Sequence, residues 1–430
     1  MTTSDWNQAL SDLPDRCDVL VVGAGPAGSA CAQVLAQGGP RVVLVDSQVF
    51  PRDKVCGDGL VPDTHAALRR LGVHDQVMRL AQSASAARCV APNGSFIDIA
   101  GELAVLPRRE LDALLCRAAL AAGALMGAPA RFVAPLRDEA GRVCGAELSD
   151  GAQTRALRSR WLVLATGALP NALLAANLCQ RRSPSGMALR TYVRHPGMVD
   201  DLRQLRFVWH RHLHGGYGWI FPAPDGVFNI GVGLLDSRED DDRSARRRRG
   251  GSNLRQMFDQ FLQAEPLAAR LMREGEVLGG LKGAPFRCDL TGAMWSRPGL
   301  LVTGEAAGAT YSFTGEGIGK AMETGMAAAD ALLDHAALVP ADDITSPASA
   351  TRSDEAVARD YHARLEALLP RFRTYRQAAS FNRWPWLVNL VIWRARHSPR
   401  LMAKLGDVLN ERRLPGSMLT ARGLRNLLSP

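Results

Sequence analysis

Between Cys17 and Asp46 the chain carries the arrangement that most restricts its fold. Cys17–Val22 reads CDVLVV, an apolar run rich in β-branched residues that predicts a buried parallel strand. Gly23-Ala24-Gly25-Pro26-Ala27-Gly28 follows as GxGxxG, then a helical stretch from Ser29 to Gln37 closed by Gly38-Gly39. Arg41–Val45 predicts a second strand, ending in Asp46. Gly23 permits a tight turn, Gly25 lets backbone N–H groups approach a pyrophosphate, and Gly28 lets helix and strand pack closely. The helix N-terminus at Pro26 and Ala27 offers partial positive charge to phosphates, and Asp46 is placed to accept ribose hydroxyls. The unit predicts a Rossmann-type dinucleotide site but does not by itself separate FAD from NAD.

With 430 residues and 47% hydrophobic content, the chain can bury a large core in two or three domains. The formal charge of +9 is partly concentrated at Arg246–Arg249, before Gly250-Gly251-Ser252. That run reads as a solvated loop tip or as a docking patch for an acidic partner, and without interleaved aromatics it argues against nucleic acid. Met1–Leu10 has no secretory pattern, and no uncharged apolar run reaches the ~20 residues of a spanning helix. The 8 cysteines form no CxxC pair, which suits reduced thiols in the cytoplasm. His210, His212 and His214 alternate and are expected as exposed histidines on a strand. A fourth ligand is lacking there, so no metal site is expected.

Later segments narrow the cofactor. Pro107-Arg108-Arg109-Glu110-Leu111-Asp112 opens an amphipathic helix, Arg131-Phe132-Val133 reads as a short strand, and Leu162–Gly167 (LVLATG) closes on a small-residue turn. Leu300–Gly308 is LLVTGEAAG, and Thr314–Ile318 (TGEGI) leaves bare N–H groups at a helix start that can hold a flavin pyrimidine edge. This set resembles the para-hydroxybenzoate hydroxylase superfamily. The resemblance implies FAD, with Arg108 reaching it (Arg109 as fallback) and Val133 beside the adenine. Gly304 and Glu305 would stand at the ribityl chain, where the usual acid is Asp, and Gly315, Gly317 and Ile318 at the ring.

Two further segments resemble the geranylgeranyl reductase branch. Phe50–Leu60 (FPRDKVCGDGL) matches a loop ending in CG(D/E)G, which implies that Cys56, Gly57 and Gly59 lie beside the isoalloxazine. Cys56 is either a thiol that relays a proton or a small packing residue. Tyr217-Gly218-Trp219-Ile220-Phe221-Pro222, followed by Gly231-Val232-Gly233, matches YxWxFP then GxG. Aromatics at alternate strand positions face one way, so Tyr217 and Trp219 are candidates for the wall of a flat or long apolar substrate.

These readings predict an α/β protein. A three-layer Rossmann-type FAD-binding domain is expected from residues 15–80, 105–172 and 285–336, and a mixed-sheet substrate domain from 81–104 and 173–284. A loop from Pro340 to Arg352 leads to a helical C-terminal region, 353–430. Trp384–Leu387 and Leu390–Trp393, with Arg383, Arg394 and Arg396, form either helices packed on the flavin domain or a peripheral membrane contact. With one dinucleotide fingerprint, NAD(P)H is expected only as a transient reductant. Tyr311–Lys320 departs from the reductase pattern at Ser312, where proline is usual, and resembles tryptophan-modifying relatives. The resemblance thus implies a single-component monooxygenase hydroxylating an aromatic substrate, peptide tryptophan included, through a flavin hydroperoxide. The alternatives are a reductase of isoprenoid C=C bonds, a flavin-dependent halogenase and a flavin-binding scaffold without turnover.

Overall fold

The computed structural model describes residues 6–235, 253–336, 347–379, 382 and 384–413. The basic run Arg246–Arg249 lies outside them. The chain opens with β1 (Arg16–Val22), α1 (Pro26–Gln37), β2 (Val42–Val45), the short β3 (Gly59–Leu60), α2 (Pro62–Arg70) and α3 (His74–Met78). The hairpin β4 (Gln82–Val90) and β5 (Phe96–Val105) precedes α4 (Arg108–Ala121), β6 (Leu125–Gly127), β7 (Arg131–Arg137), β8 (Val143–Ser149) and β9 (Thr154–Leu164). Then come α5 (Asn171–Ala175), β10 (Gly186–Arg194), β11 (Leu205–Val208), β12 (Gly216–Ala223) and β13 (Val227–Leu235). After α6 (Leu254–Ala264) and α7 (Pro266–Glu274) follow β14 (Glu276–Phe286), β15 (Ser296–Arg297) and β16 (Leu300–Val302). The described chain ends in α8 (Ile318–His335), α9 (Pro347–Ala378), α10 (Trp386–Arg396) and α11 (Pro399–Leu409).

Two sheets result. The first runs β15-β16-β9-β1-β2-β6, with β8 and β7 continuing antiparallel from β9. Its centre is parallel, β1 lying between β2 and β9. Because side chains alternate across a strand, Val19 and Val21 enter one core with α1, α4 and α8. Leu20 and Val22 enter another, with Val143, Ala146 and Leu148 of the β7–β8 meander. Helices, sheet and meander make the three layers. A strand covered on both faces must be apolar throughout, as the VLVV of Val19–Val22 is.

The second sheet is mixed, in the order β14-β10-β13-β12-β11-β4-β5-β3. Its last member comes from the first half of the chain: β3 pairs antiparallel with β5 through Gly59↔Val105. The stretch from Asp46 to Leu60 therefore leaves the edge of β2 in one sheet and finishes in the other, forming a strap between them.

Local boundaries differ from the sequence expectation in three places. The first helix starts at Pro26, since proline at the first helical position loses no hydrogen bond and already has helical φ. Residues from Pro347 onward, expected as loop, are helical and continue into α9. His210, His212 and His214 lie in the turn between β11 and β12, so they are not strand residues. The polypeptide reverses there, with Leu213 N–H donating to the His210 carbonyl.

At Gly28 an added Cβ would fall 1.8 Å from the Gly23 carbonyl oxygen, where helix and strand touch backbone to backbone. Gly28→Ala is expected to lower stability by about 1–3 kcal/mol or more, because neither backbone can yield without moving α1 on β1. Denaturant unfolding of flavin-loaded and flavin-free protein checks this, and an unchanged midpoint in both forms would contradict it.

Candidate active site

A cleft of about 640 Å³ opens between the two sheets, a volume in the range of cofactor sites. Gly23, Gly25, Pro26, Ala27, Asp46, Cys56, Gly57, Gly59, Arg108, Tyr217, Trp219, Glu305, Gly315, Gly317 and Ile318 all line it. Distant stretches of sequence are brought together there because β1, β2 and β9 end at the same edge and the strap crosses that edge.

The glycine-loop end is built for anions. A Cβ on Gly25 would point at the guanidinium groups of Arg52 and Arg108, 3.7 and 3.8 Å away, so the bare glycine leaves room beside two cations at the start of α1. Both arginines are held by one buried carboxylate. Arg108 donates to Asp112 at 2.6 and 2.9 Å, and Arg52 donates to it at 2.9 Å. Asp46 accepts from the backbone N–H of Ala24 at 2.9 Å and of Gln48 at 3.0 Å, which fixes its carboxylate at the end of β2. Cations, helix N-terminus and a glycine cradle fit the pyrophosphate of FAD, and Asp46 fits a ribose. Arg109, the fallback, points to solvent and pairs loosely with Glu110.

The strap is fastened by Asp58, a buried residue with φ of 63°. Its carboxylate accepts from Tyr192 Oη at 2.5 Å and Asn229 Nδ2 at 2.7 Å, both on the second sheet, and from the Arg108 N–H at 3.3 Å. Asn229 also donates to the Cys56 carbonyl at 2.8 Å and accepts from Trp219 Nε1 at 2.9 Å. Burial pushes the Asp58 carboxyl up to about 6, against the hydrogen bonds from Tyr192 and Asn229 that pull it down. Burial likewise raises the Cys56 thiol, with Arg108 opposing.

Above the strap stands an aromatic wall. Tyr217, Trp219 and Phe221 alternate on β12 and all face the cleft, joined by Phe207 of β11 with ring centroids 5.0 Å from Phe221 and 5.7 Å from Tyr217. Phe286 of β14 adds to the lining. Tyr217 also donates to the Thr314 carbonyl, tying the wall to the loop before α8.

At the far end Glu305 turns toward Lys54 of the strap, 3.8 Å away. The longer acid is thus met by a cation from the Phe50–Leu60 segment. Glu316 lines the cleft beside Gly315 and Gly317. Burial, with Asp63 and Glu411 nearby, pushes its carboxyl up to about 8. Behind it Lys320, fully buried, meets Glu323 at 2.7 Å, Glu411 at 3.3 Å and Asp63 at 3.5 Å.

Gly28 packs helix against strand, as its place in the glycine loop implied. Two other residues expected at the cofactor do not line the cleft. Gly304 is buried against Ala27, its N–H donating to Thr324 Oγ1 at 3.1 Å. Val133 sits at a register shift between β7 and β8, is 42% exposed and does not line the cleft, although Ala130, Arg131 and Phe132 do. Arg52, Asp58, Asn229 and Glu316 were not singled out. Phe221 had a signal, the β12 alternation, whereas Asn229 is brought in only by the pairing of β13 with β12. Away from the cleft, His65 and His74 meet at 3.1 Å beside Glu102, which is also paired with Arg69. All eight cysteines are free thiols.

For Asp58 the linkage sign is definite. Its folded value lies above the ordinary 3.8, so it binds more protons folded than unfolded, and its contribution to stability falls as pH rises from about 4 to about 6. Asp58→Asn is expected to remove that slope, on the order of 3 kcal/mol across the window. Denaturant titrations at stepped pH read it, and parallel slopes in both proteins would contradict it.

An FAD binding domain model matches residues 16–173. The menaquinone reductase of Mycolicibacterium smegmatis is 33% identical over 334 residues, covering 73% of this chain and 76% of that protein. Digeranylgeranylglycerophospholipid reductase 1 of Methanococcoides burtonii is 26% identical over 329 residues, 74% of each chain. A geranylgeranyl bacteriochlorophyll reductase-like protein from Thermoplasma acidophilum superposes with a TM-score of 0.67 over 96% of both chains at 21% identity, a likeness of fold. With this fold, a cleft whose donors suit FAD and that degree of identity, the chain belongs to the FAD-dependent oxidoreductases of the geranylgeranyl reductase and menaquinone reductase branch.

Proposed function

We propose that this enzyme reduces a C=C bond in the isoprenoid chain of a lipid-soluble substrate such as a polyprenyl quinone, with NAD(P)H as the transient electron donor. The observation that carries this reading is the wall of Tyr217, Trp219, Phe221 and Phe207 above the strap, in a chain whose relatives are named as reductases of menaquinone and of a geranylgeranyl lipid. Ring hydroxylation, which the Tyr311–Lys320 segment suggested, is less well supported by those relatives.

In this reading the glycine loop, Arg52 and Arg108 hold the pyrophosphate, Asp46 the ribose, Glu305 the ribityl chain, and Gly315–Ile318 with the strap the ring. When bound, FAD would supply two-electron chemistry at the hydride level. The chain itself must place an apolar alkene, exclude water and provide one proton for the second carbon. The aromatic wall does the first two, because burying an alkene against rings costs no polar partner. For the third we assign Glu316, a carboxyl lining the cleft that burial raises to about 8, so that it holds a proton at neutral pH yet is a stronger acid than a thiol or phenol. Cys56, whose thiol burial keeps protonated, then serves as packing beside the ring.

Incubating reduced enzyme with a polyprenyl quinone in the absence of oxygen is expected to add two hydrogens to the chain, read by mass spectrometry. A product that forms only in air and has gained oxygen would overturn the reading. The rate is expected to fall as pH rises through about 8, when Glu316 loses its proton. Glu316→Gln should lower turnover about 10²–10⁴-fold and flatten that limb of the profile, while leaving flavin content intact.

A further inference from the structure

The C-terminal helix pair presents an exposed aromatic face that the cleft does not use. Trp384, Trp386 and Trp393 are 53%, 59% and 55% exposed, although a ring of this size is normally buried. Trp386 and Trp393, seven residues apart, lie on one side of α10, while Val388, Ile392 and Ala395 are buried on the other. From Trp384 to the end of α11 at Leu409 the sequence contains Arg394, Arg396, Arg400 and Lys404 against a single acid, Asp407. Arg396, Arg400 and Lys404 are exposed. Tryptophan prefers the headgroup level of a bilayer, and arginine and lysine beside it favour anionic lipids. Among the described residues no helix is long and apolar enough to cross a membrane, so any lipid contact through this face is peripheral.

The inner side of the same helices connects this face to the site. Val388, Ile392, Ala395 and Leu401 share one core with Tyr217, Trp219 and Phe221, the cleft's aromatic wall. Asn382, just before α10, accepts from Trp209 Nε1 at 2.8 Å and donates to the Phe313 carbonyl at 2.9 Å. The tryptophan face is therefore carried on helices that share a core with the substrate wall.

We propose that α10 and α11 dock the enzyme peripherally on an anionic bilayer, seating Trp384, Trp386 and Trp393 among the headgroups so that the aromatic cleft stands at the lipid surface. The docking itself stands apart from the proposed reaction. Only its purpose, delivery of a lipid substrate, rests on that reading.

Flotation of the flavin-loaded full chain with vesicles of phosphatidylglycerol and phosphatidylcholine tests it without turnover, so this proposal and the reductase reading fail separately. Binding is expected to be stronger to the mixed vesicles than to pure phosphatidylcholine and to weaken with salt. Trp386→Ser with Trp393→Ser should reduce it about 100-fold, roughly tenfold for each ring withdrawn from the interface. Flavin content and thermal midpoint, unchanged in the double variant, show that it folds. Absence of binding by the parent protein, or equal binding by the double variant, would overturn the proposal. So would a dimer in solution that the substitutions convert to monomer, which would assign the face to a second copy of the chain.

Discussion

The cleft depends on a single buried carboxylate. Asp58 is gripped from the second sheet by Tyr192 and Asn229 and from the cofactor layer by the backbone of α4. These bonds hold the strap between the sheets, and the strap carries Lys54, Cys56 and Gly57 into the cleft. A carboxylate in so enclosed a place is costly unless several donors meet it. Three donors from three separate elements meet it here, so the tie is made only when both sheets are in register.

The charged groups around the cleft follow the same logic. Arg52 and Arg108 converge on the glycine loop because Asp112, fully buried, faces both. Removing either cation would leave that carboxylate short of a partner, and removing the carboxylate would set two guanidinium groups against each other. Lys320 is enclosed by Asp63 of α2, Glu323 of its own helix and Glu411 just past α11. Through Glu411 the C-terminal helices are coupled to the helix that starts at the proposed ring site. Glu316, next to this cluster, is raised first by burial and then by the charges of Asp63 and Glu411, with Lys320 opposing.

How much of this was legible in the chain varies with the range of the interaction. The glycine loop, Asp46 and the TGEGI turn were readable because each belongs to a local backbone form, a tight turn, a strand end or a helix start, whereas Arg108 came from the family resemblance alone. Tyr217 and Trp219 were readable because a two-residue period puts them on one face. Val133 was misplaced because a register shift between β7 and β8 moves it out of line, and a single inserted residue in a ladder leaves no mark in composition. The histidines at 210, 212 and 214 alternate as a strand would, but the polypeptide turns there. Arg52, Asp58 and Asn229 belong to networks whose partners lie 60, 134 and 171 residues away, and no local pattern announces such pairings.

The sequence by itself determined the class of fold and a dinucleotide site at the strand ends, because these follow from short-range geometry of glycine, proline and apolar alternation, whereas FAD rather than NAD followed from the family resemblance of later segments. Tertiary structure alone decided which residues share the cleft, which carboxyls keep their protons and which tryptophans remain exposed. Those outcomes depend on burial and on the proximity of charges, and both are set only when two sheets and a helical tail close on one another.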